Sequence, residues 1–332
     1  MTEKRRFPEI DAMYFLGTLL VVLGHSHSSD WSTFSGTFLE DLIVFIYRFH
    51  MPAFFFVAGF LFLNSRGFER LGLKKWIAEK AGKLLIPYVT LSLIVIIPKY
   101  MVEHHGIDGF GQYLVEAIFI PRVGVWGHFW FLPVLLMCYI LFGIWRTYFL
   151  QKKIRDSVAL VLVTTVIYFL PIKIRWFALS DLKDEMIFFA AGILAYSMGR
   201  RKFHKRESVV RITEMVLTFG VSLVLHTKFS QYKMLLLIVA FLMIDCMWQM
   251  SCLLESGALI SWVSRHNFTI YIYSWPAQAV AMVLCTALGF PWYLTTPVMF
   301  AVGLAVPSIL AVAYEKINCI HNRFFDLVLG IK

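Results

Sequence analysis

Residues 10–30 read IDAMYFLGTLLVVLGHSHSSD: an apolar run that starts behind one aspartate and stops at two histidines, with serines and a second aspartate around and after them. A stretch this apolar is a membrane span, and the remainder of the chain has the same character. Of the 332 residues 59% are hydrophobic and 16% charged, and the mean hydropathy is +0.70, far from the composition of a water-soluble domain. The chain is read as an all-α, polytopic integral membrane protein. At about 20 apolar residues per span there is room for about ten transmembrane helices and none for a separate soluble domain, so a single transmembrane domain takes residues 1–332. Hydrophobic patterning places the helices at 10–27, 40–64, 83–100, 129–149, 157–172, 186–200, 210–226, 231–250, 267–289 and 294–315. Lys4, Arg5 and Arg6 precede the first, but no small-residue cleavage site follows, so that helix is read as retained.

Charge sets the expected orientation. Lys and Arg gather in alternate connecting segments: Lys4, Arg5 and Arg6; Arg66, Arg70, Lys74, Lys75, Lys80 and Lys83; Arg146, Lys152, Lys153 and Arg155; Arg200, Arg201, Lys202, Lys205, Arg206 and Arg211; Arg265; Lys316, Arg323 and Lys332. The segments between them hold only Lys99, Arg122, Lys173, Arg175, Lys183, Lys228 and Lys233. Short loops rich in Lys and Arg stay inside, so both termini are expected in the cytoplasm, and the outer segment 101–128 is a candidate interfacial or re-entrant stretch. The net charge of +10 therefore reflects topology signals facing lipid headgroups, and membrane lipids rather than nucleic acid are the expected partners. The five cysteines, at 138, 246, 252, 285 and 319, lack metal-ligand spacing, so neither a metal site nor a disulfide is expected.

Ionisable residues inside the spans single out a site. His25 lies 17 residues beyond Pro8, about 26 Å along the helix and near the outer face, while Asp11 lies near the opposite end. The second helix, YRFHMPAFFFVAGF (47–60), carries Arg48 and His50 within an apolar run, and Pro52 is expected to kink it. Such groups cost about 2.5–3.5 kcal/mol each on insertion scales, so they face a polar cavity or one another. Two neighbouring helices that both carry them point to a shared interior site. Histidine titrates near neutral pH, so an imidazole in such a site can take up and release a proton. His27 lies roughly 200° around a continuing helix from His25 and is expected at the interface.

IDAMYFLGTLLVVLGH (10–25) resembles the first helix of the acyltransferase-3 family of membrane O-acyltransferases, which modify bacterial cell-surface glycans. That helix carries an arginine about three turns before a histidine, with an aspartate shortly before the arginine. Asp11 and His25 match, and Tyr14 stands at the arginine position. FHMPAFFFVAGF (49–60), KAGKLLIPY (80–88), HFWFLPVLL (128–136) and TIYIYSWPAQ (269–278) resemble later signatures of the family, in the family's order. The resemblance implies a multi-pass enzyme of the cell inner membrane that holds no bound cofactor. It implies transfer of an acyl group, acetyl from cytoplasmic acetyl-CoA, to a hydroxyl of a surface or lipid-linked saccharide at the outer face.

His25 and Asp11 are then the catalytic candidates: His25 can take the proton of the poorly nucleophilic acceptor hydroxyl or carry the acyl group covalently, and the residues leave both roles open. Lys80 and Lys83, at the family's arginine pair, and Tyr14 are the donor-binding candidates. Lysine lacks arginine's bidentate fork, and a phenol supplies no fixed positive charge. Arg48, His50, His128 and Trp130 are the acceptor-binding candidates. A reading from a different class is a transporter or flippase for a lipid-linked glycan, which also needs a polar path through ten helices. Such proteins carry internal repeats with broken helices in matching halves, a symmetry the sequence does not display. A third reading, a non-catalytic membrane subunit of a glycan synthase, would leave His25 dispensable. The expected orientation is checked with an impermeant thiol label, which should reach a cysteine placed at Ser35 and miss one placed at Lys202; the reverse would invert the topology.

Overall fold

Pro8 takes the first position of helix α1 (Pro8–Gly24), where its missing N–H is no loss, and the helix runs 17 residues, about 25 Å. The structure, a computed structural model, describes residues 7–27, 31–104, 109–122, 127–199, 207–254, 257–317 and 323–331, among which all regular structure is helical. The basic clusters Lys4–Arg6 and Arg200–Arg206, as well as Cys319 and Lys332, lie outside the described residues.

After α1 come α2 (Phe38–Ile46) and α3 (His50–Phe62), joined by a bend at Tyr47, Arg48 and Phe49. Pro52 accounts for the bend, because its ring clashes with the carbonyl four residues back, that of Arg48. The amides of Arg48 and Phe49 accordingly bond three residues back, to Phe45 and Ile46, at 3.0 and 3.2 Å. Then follow α4 (Arg66–His104), α5 (Phe110–Phe119), α6 (Phe131–Tyr148), α7 (Lys153–Phe169), α8 (Leu179–Ser197), α9 (Ser208–Phe229), α10 (Lys233–Leu253), α11 (Ala258–Ala287), α12 (Trp292–Ile317) and α13 (Arg323–Leu329).

Every expected helix range meets a helix, but several helices begin earlier. The basic segment 66–82 is helical rather than a loop, since Lys75, Glu79 and Lys83 recur at the four-residue spacing that supports a helix. A break falls at Gly72, whose φ of 70° suits glycine. Arg265 and Lys183, read as loop cations, lie within α11 and α8. Segment 101–128 contains α5, whose Ala117 packs on Ile96 of α4.

Among the described residues seven helices are long and apolar enough to cross a membrane: Phe38–Phe62 across the bend, Arg66–Met101, Gly127–Tyr148, α9, α10, α11 and α12. The other three expected spans correspond to α1 and α7, of 17 residues each, and to α8, whose first half carries Asp181, Lys183, Asp184 and Glu185.

The chain forms two compact units, one of Met1–Val57 with Arg200–Ile320, the other of Ala58–Gly199 with His321–Lys332. In the first, α1 packs against α10 and α11, α9 against α10, and α11 against α12. Its core includes Val22, Val263 and Ile270, with Phe300 and Leu304 of α12 against them. In the second, α4 packs on α6, α7 on α8, and α6 on α8 around an aromatic core in which Phe142 and Phe189 stack at 4.8 Å. Gly59 lets α3 approach α8 there: a Cβ at Gly59 would collide with the Phe189 carbonyl oxygen. Gly59→Ala should therefore destabilise by about 3 kcal/mol, as overpacking against backbone does, whereas Gly220→Ala, with open space around it, should not. Thermal unfolding of the purified variants in detergent would show a lowered midpoint for the first only.

Candidate active site

A helix end leaves its last four carbonyls without intrahelical donors, and α1 stops among apolar side chains. Each finds a donor. Val21 O accepts from the His25 amide at 3.2 Å and Leu23 O from the Ser26 amide at 2.9 Å. Val22 O accepts from Ser26 Oγ at 2.6 Å and from Gln278 Nε2 at 2.8 Å, and Gly24 O accepts from the Tyr47 hydroxyl at 2.6 Å. Gln278 Nε2 also donates to Ser26 Oγ at 2.8 Å. The bend after α2 and the TIYIYSWPAQ segment of α11 thus both clamp the end of α1.

This clamp gathers three imidazoles around Tyr47. The ring of His25, half-buried, lies 6.0 Å from that of Tyr47 and 5.7 Å from that of Trp275. His27 Nε2 lies 3.2 Å from the Tyr47 hydroxyl oxygen. The Tyr47 proton goes to Gly24 O, so the oxygen is the acceptor and His27 Nε2 carries the hydrogen. His50 donates from Nδ1 to Ile46 O at 2.9 Å, and its ring lies 5.3 Å from that of Tyr47.

The expectation that His27 points to the interface is corrected here. Its side chain is 8% exposed, and its ring lies 5.3 Å from that of Phe34. The helix ends at Gly24, so the rotation per residue that separates positions 25 and 27 on a continuing helix does not apply.

Asp11 does not join this cluster. Fourteen residues earlier on the same helix, about 21 Å away, it accepts a hydrogen bond from Ser264 Oγ at 2.7 Å and ties α1 to α11. Tyr14 packs at 6.1 Å from Phe54. A second polar group that sequence patterning missed lies on the first unit's other helices. His266 is held between Trp262 O and Glu315 Oε1 at 2.9 and 3.0 Å. Arg211, assigned by charge pattern to a loop, is 4% exposed and donates to Gln249 Oε1 at 2.8 Å.

The remaining candidates belong to the second unit. Lys80 Nζ sits 4.6 Å from the Tyr139 ring centroid and 5.3 Å from that of Trp76, while Lys83 is exposed. Trp130 is buried with the Arg122 guanidinium 4.2 Å above its ring, so that face is occupied by a cation. Arg122 in turn pairs with Asp181. His128 packs edge-on against Phe129 at 4.6 Å. Glu185 is a buried carboxyl of this unit whose Oε2 has no hydrogen-bond partner among the described residues.

The family model described as an acyltransferase domain of the acyltransferase-3 type matches residues 7–314. The chain belongs to this family. No curated protein and no solved structure matches it. The match begins just before α1 and ends in the last turn of α12, so it contains every residue of the imidazole cluster and its clamp. The acyltransferase is thus a membrane-embedded enzyme whose histidines sit where its first helix stops.

Tyr47 and Gln278 are two site residues that patterning did not mark. One is an aromatic in a chain that is 17% aromatic, and the other bonds a carbonyl 256 positions away, which leaves no local trace. Tyr47→Phe removes a hydroxyl that bonds two groups, each contact worth about 0.5–1.5 kcal/mol. Acyl transfer by this variant should fall about tenfold with insertion unchanged, as read by activity per membrane-inserted protein.

Proposed function

We infer that this acyltransferase is a multi-pass O-acyltransferase of the inner membrane that moves acetyl from acetyl-CoA to a hydroxyl of a surface or lipid-linked saccharide. The observation that carries this reading is the half-buried His25 imidazole, fixed at the clamped end of α1 against Tyr47 and Trp275. His25 takes the acceptor hydroxyl's proton as that oxygen attacks the thioester carbonyl carbon. The tetrahedral intermediate then collapses, the carbon–sulfur bond breaks, and the leaving CoA sulfur takes the proton from the imidazolium.

In this reading all ten expected helices cross the membrane, with both termini cytoplasmic, so that α1 runs from the donor face to the acceptor face. Lys80, Lys83 and Tyr14 serve the donor. Tyr14 cannot supply a fixed charge, and Arg211, buried in the first turn of α9, is a cation at that unit's donor end. Arg48, His50, His128 and Trp130 serve the acceptor, Trp130 through the Arg122 guanidinium that covers it. Asp11 acts by holding α1 on α11 through Ser264.

The test compares surface glycans from cells with the parent enzyme, the His25→Ala variant and the His27→Ala variant by mass spectrometry. The parent should add one acetyl mass. His25→Ala should cut the rate by about 10² to 10⁴, the usual contribution of general acid–base catalysis, while the protein still accumulates in the membrane. His27→Ala should cost only about tenfold, the share of one buried hydrogen bond. Parent-like acetylation by the His25 variant would remove the catalytic assignment and move the transporter reading ahead.

A further inference from the structure

The first unit holds a cavity of about 950 Å³ between α1, α2, α9 and α10, and of the candidate site residues only Arg48 lines it. Its walls are stripes at helical spacing. Leu16, Leu19, Leu20 and Leu23 form one face of α1, and Met243, Met247 and Met250 form one face of α10. A pocket of this size and lining accepts a long apolar ligand, and methionine walls adapt to an irregular chain.

One end of the cavity is polar. Arg48 Nε and His226 Nδ1 are shut off from solvent, and neither has a hydrogen-bond partner among the described residues. Asp41 lies on the same wall, and both it and Arg48 exert their charge on His226. A guanidinium N–H buried without an acceptor is costly, and an anion with several oxygens removes that cost through short charge-assisted bonds. The polar end lies where α1 stops: Arg48 follows Tyr47, whose hydroxyl is bonded to Gly24 O, and His226 lies in the last turn of α9. From that level the leucine stripe runs back along α1.

An ordinary phospholipid shares this head-and-tail chemistry, but the bend after α2 favours one occupant. Its consecutive residues serve both sites, Tyr47 touching the imidazoles and Arg48 lining the cavity. A phosphate on Arg48 therefore sets whatever it carries beside His25.

We propose that this cavity seats the lipid carrier of the acceptor: a long-chain lipid phosphate with its hydrocarbon along the leucine and methionine stripes and its phosphate on Arg48 and His226. This rests on the acyltransferase reading and narrows its acceptor to a lipid-linked saccharide, modified while still on its carrier.

The experiment uses the full-length protein in phosphatidylcholine nanodiscs, with binding of a long-chain polyprenyl phosphate measured by native mass spectrometry against the matching polyprenol and against phosphatidylglycerol. The polyprenyl phosphate should bind at least tenfold more tightly than either. Arg48→Gln should weaken it about tenfold, and Leu20→Trp, which fills the cavity, should weaken the phosphate and the polyprenol alike. His25→Ala should leave binding unchanged while cutting acyl transfer by about 10² to 10⁴, which separates the carrier proposal from the acyltransferase reading. Equal affinity for phosphatidylglycerol would mean that bulk lipid fills the cavity and would overturn the proposal, as would parent-like binding by both cavity variants.

Discussion

The end of α1 is the constraint on which the active region depends. Away from water an unsatisfied carbonyl costs several kcal/mol, so a helix that stops within the protein must be supplied with donors. Tyr47 and Gln278 supply two that the local backbone cannot. Gln278 is itself locked by close packing: a Cβ at Gly303 of α12 would fall 2.8 Å from Gln278 Cγ. A chain of contacts thus runs from the absent side chain of Gly303 through Gln278 to Val22 O and the terminus of α1. The positions of His25 and His27 follow from it, because both residues extend from that terminus.

The bend between α2 and α3 works in the same way. Pro52 denies Arg48 a helical partner for its carbonyl, and the chain answers with two three-residue bonds before α3 resumes. Without the bend, Tyr47 and Arg48 would be separated by one ordinary helical step on a continuous rod. With it, Tyr47 reaches the end of α1 while Arg48 and Phe49 turn to the cavity wall.

The sequence carries the helices openly, since a span of apolar residues is a bulk property that survives without knowledge of partners. It also carries His25 and Asp11 through their place in the first helix, and the bend through Pro52. It hides what depends on a helix ending three residues sooner than its apolar pattern suggests. The burial of His27 follows from the stop at Gly24, which the pattern alone does not separate from a stop at 27. It hides, too, the burial of Arg211 and Lys183, because a cation near a helix end reads as solvated unless its partner helix is known. Lys183 in fact bonds Asp184 at 2.9 Å within α8, and Arg211 bonds a glutamine on another helix.

The separation of Asp11 from His25 decides what that carboxylate can do for the imidazole. Over about 21 Å, at an effective dielectric of about 20, a carboxylate stabilises an imidazolium by less than about 1 kcal/mol. The aromatic rings are closer. Tyr47 and Trp275 lie at 6.0 and 5.7 Å from the His25 ring, tilted against it by 49° and 59°, and hem in the half-buried imidazole. In the proposed reaction His25 gains a proton and gives it up again, and Asp11 is too far away to hold that proton and slow its return to the leaving sulfur. Asp11 therefore serves α1 structurally, fixing the helix on α11 through Ser264 from the end opposite His25.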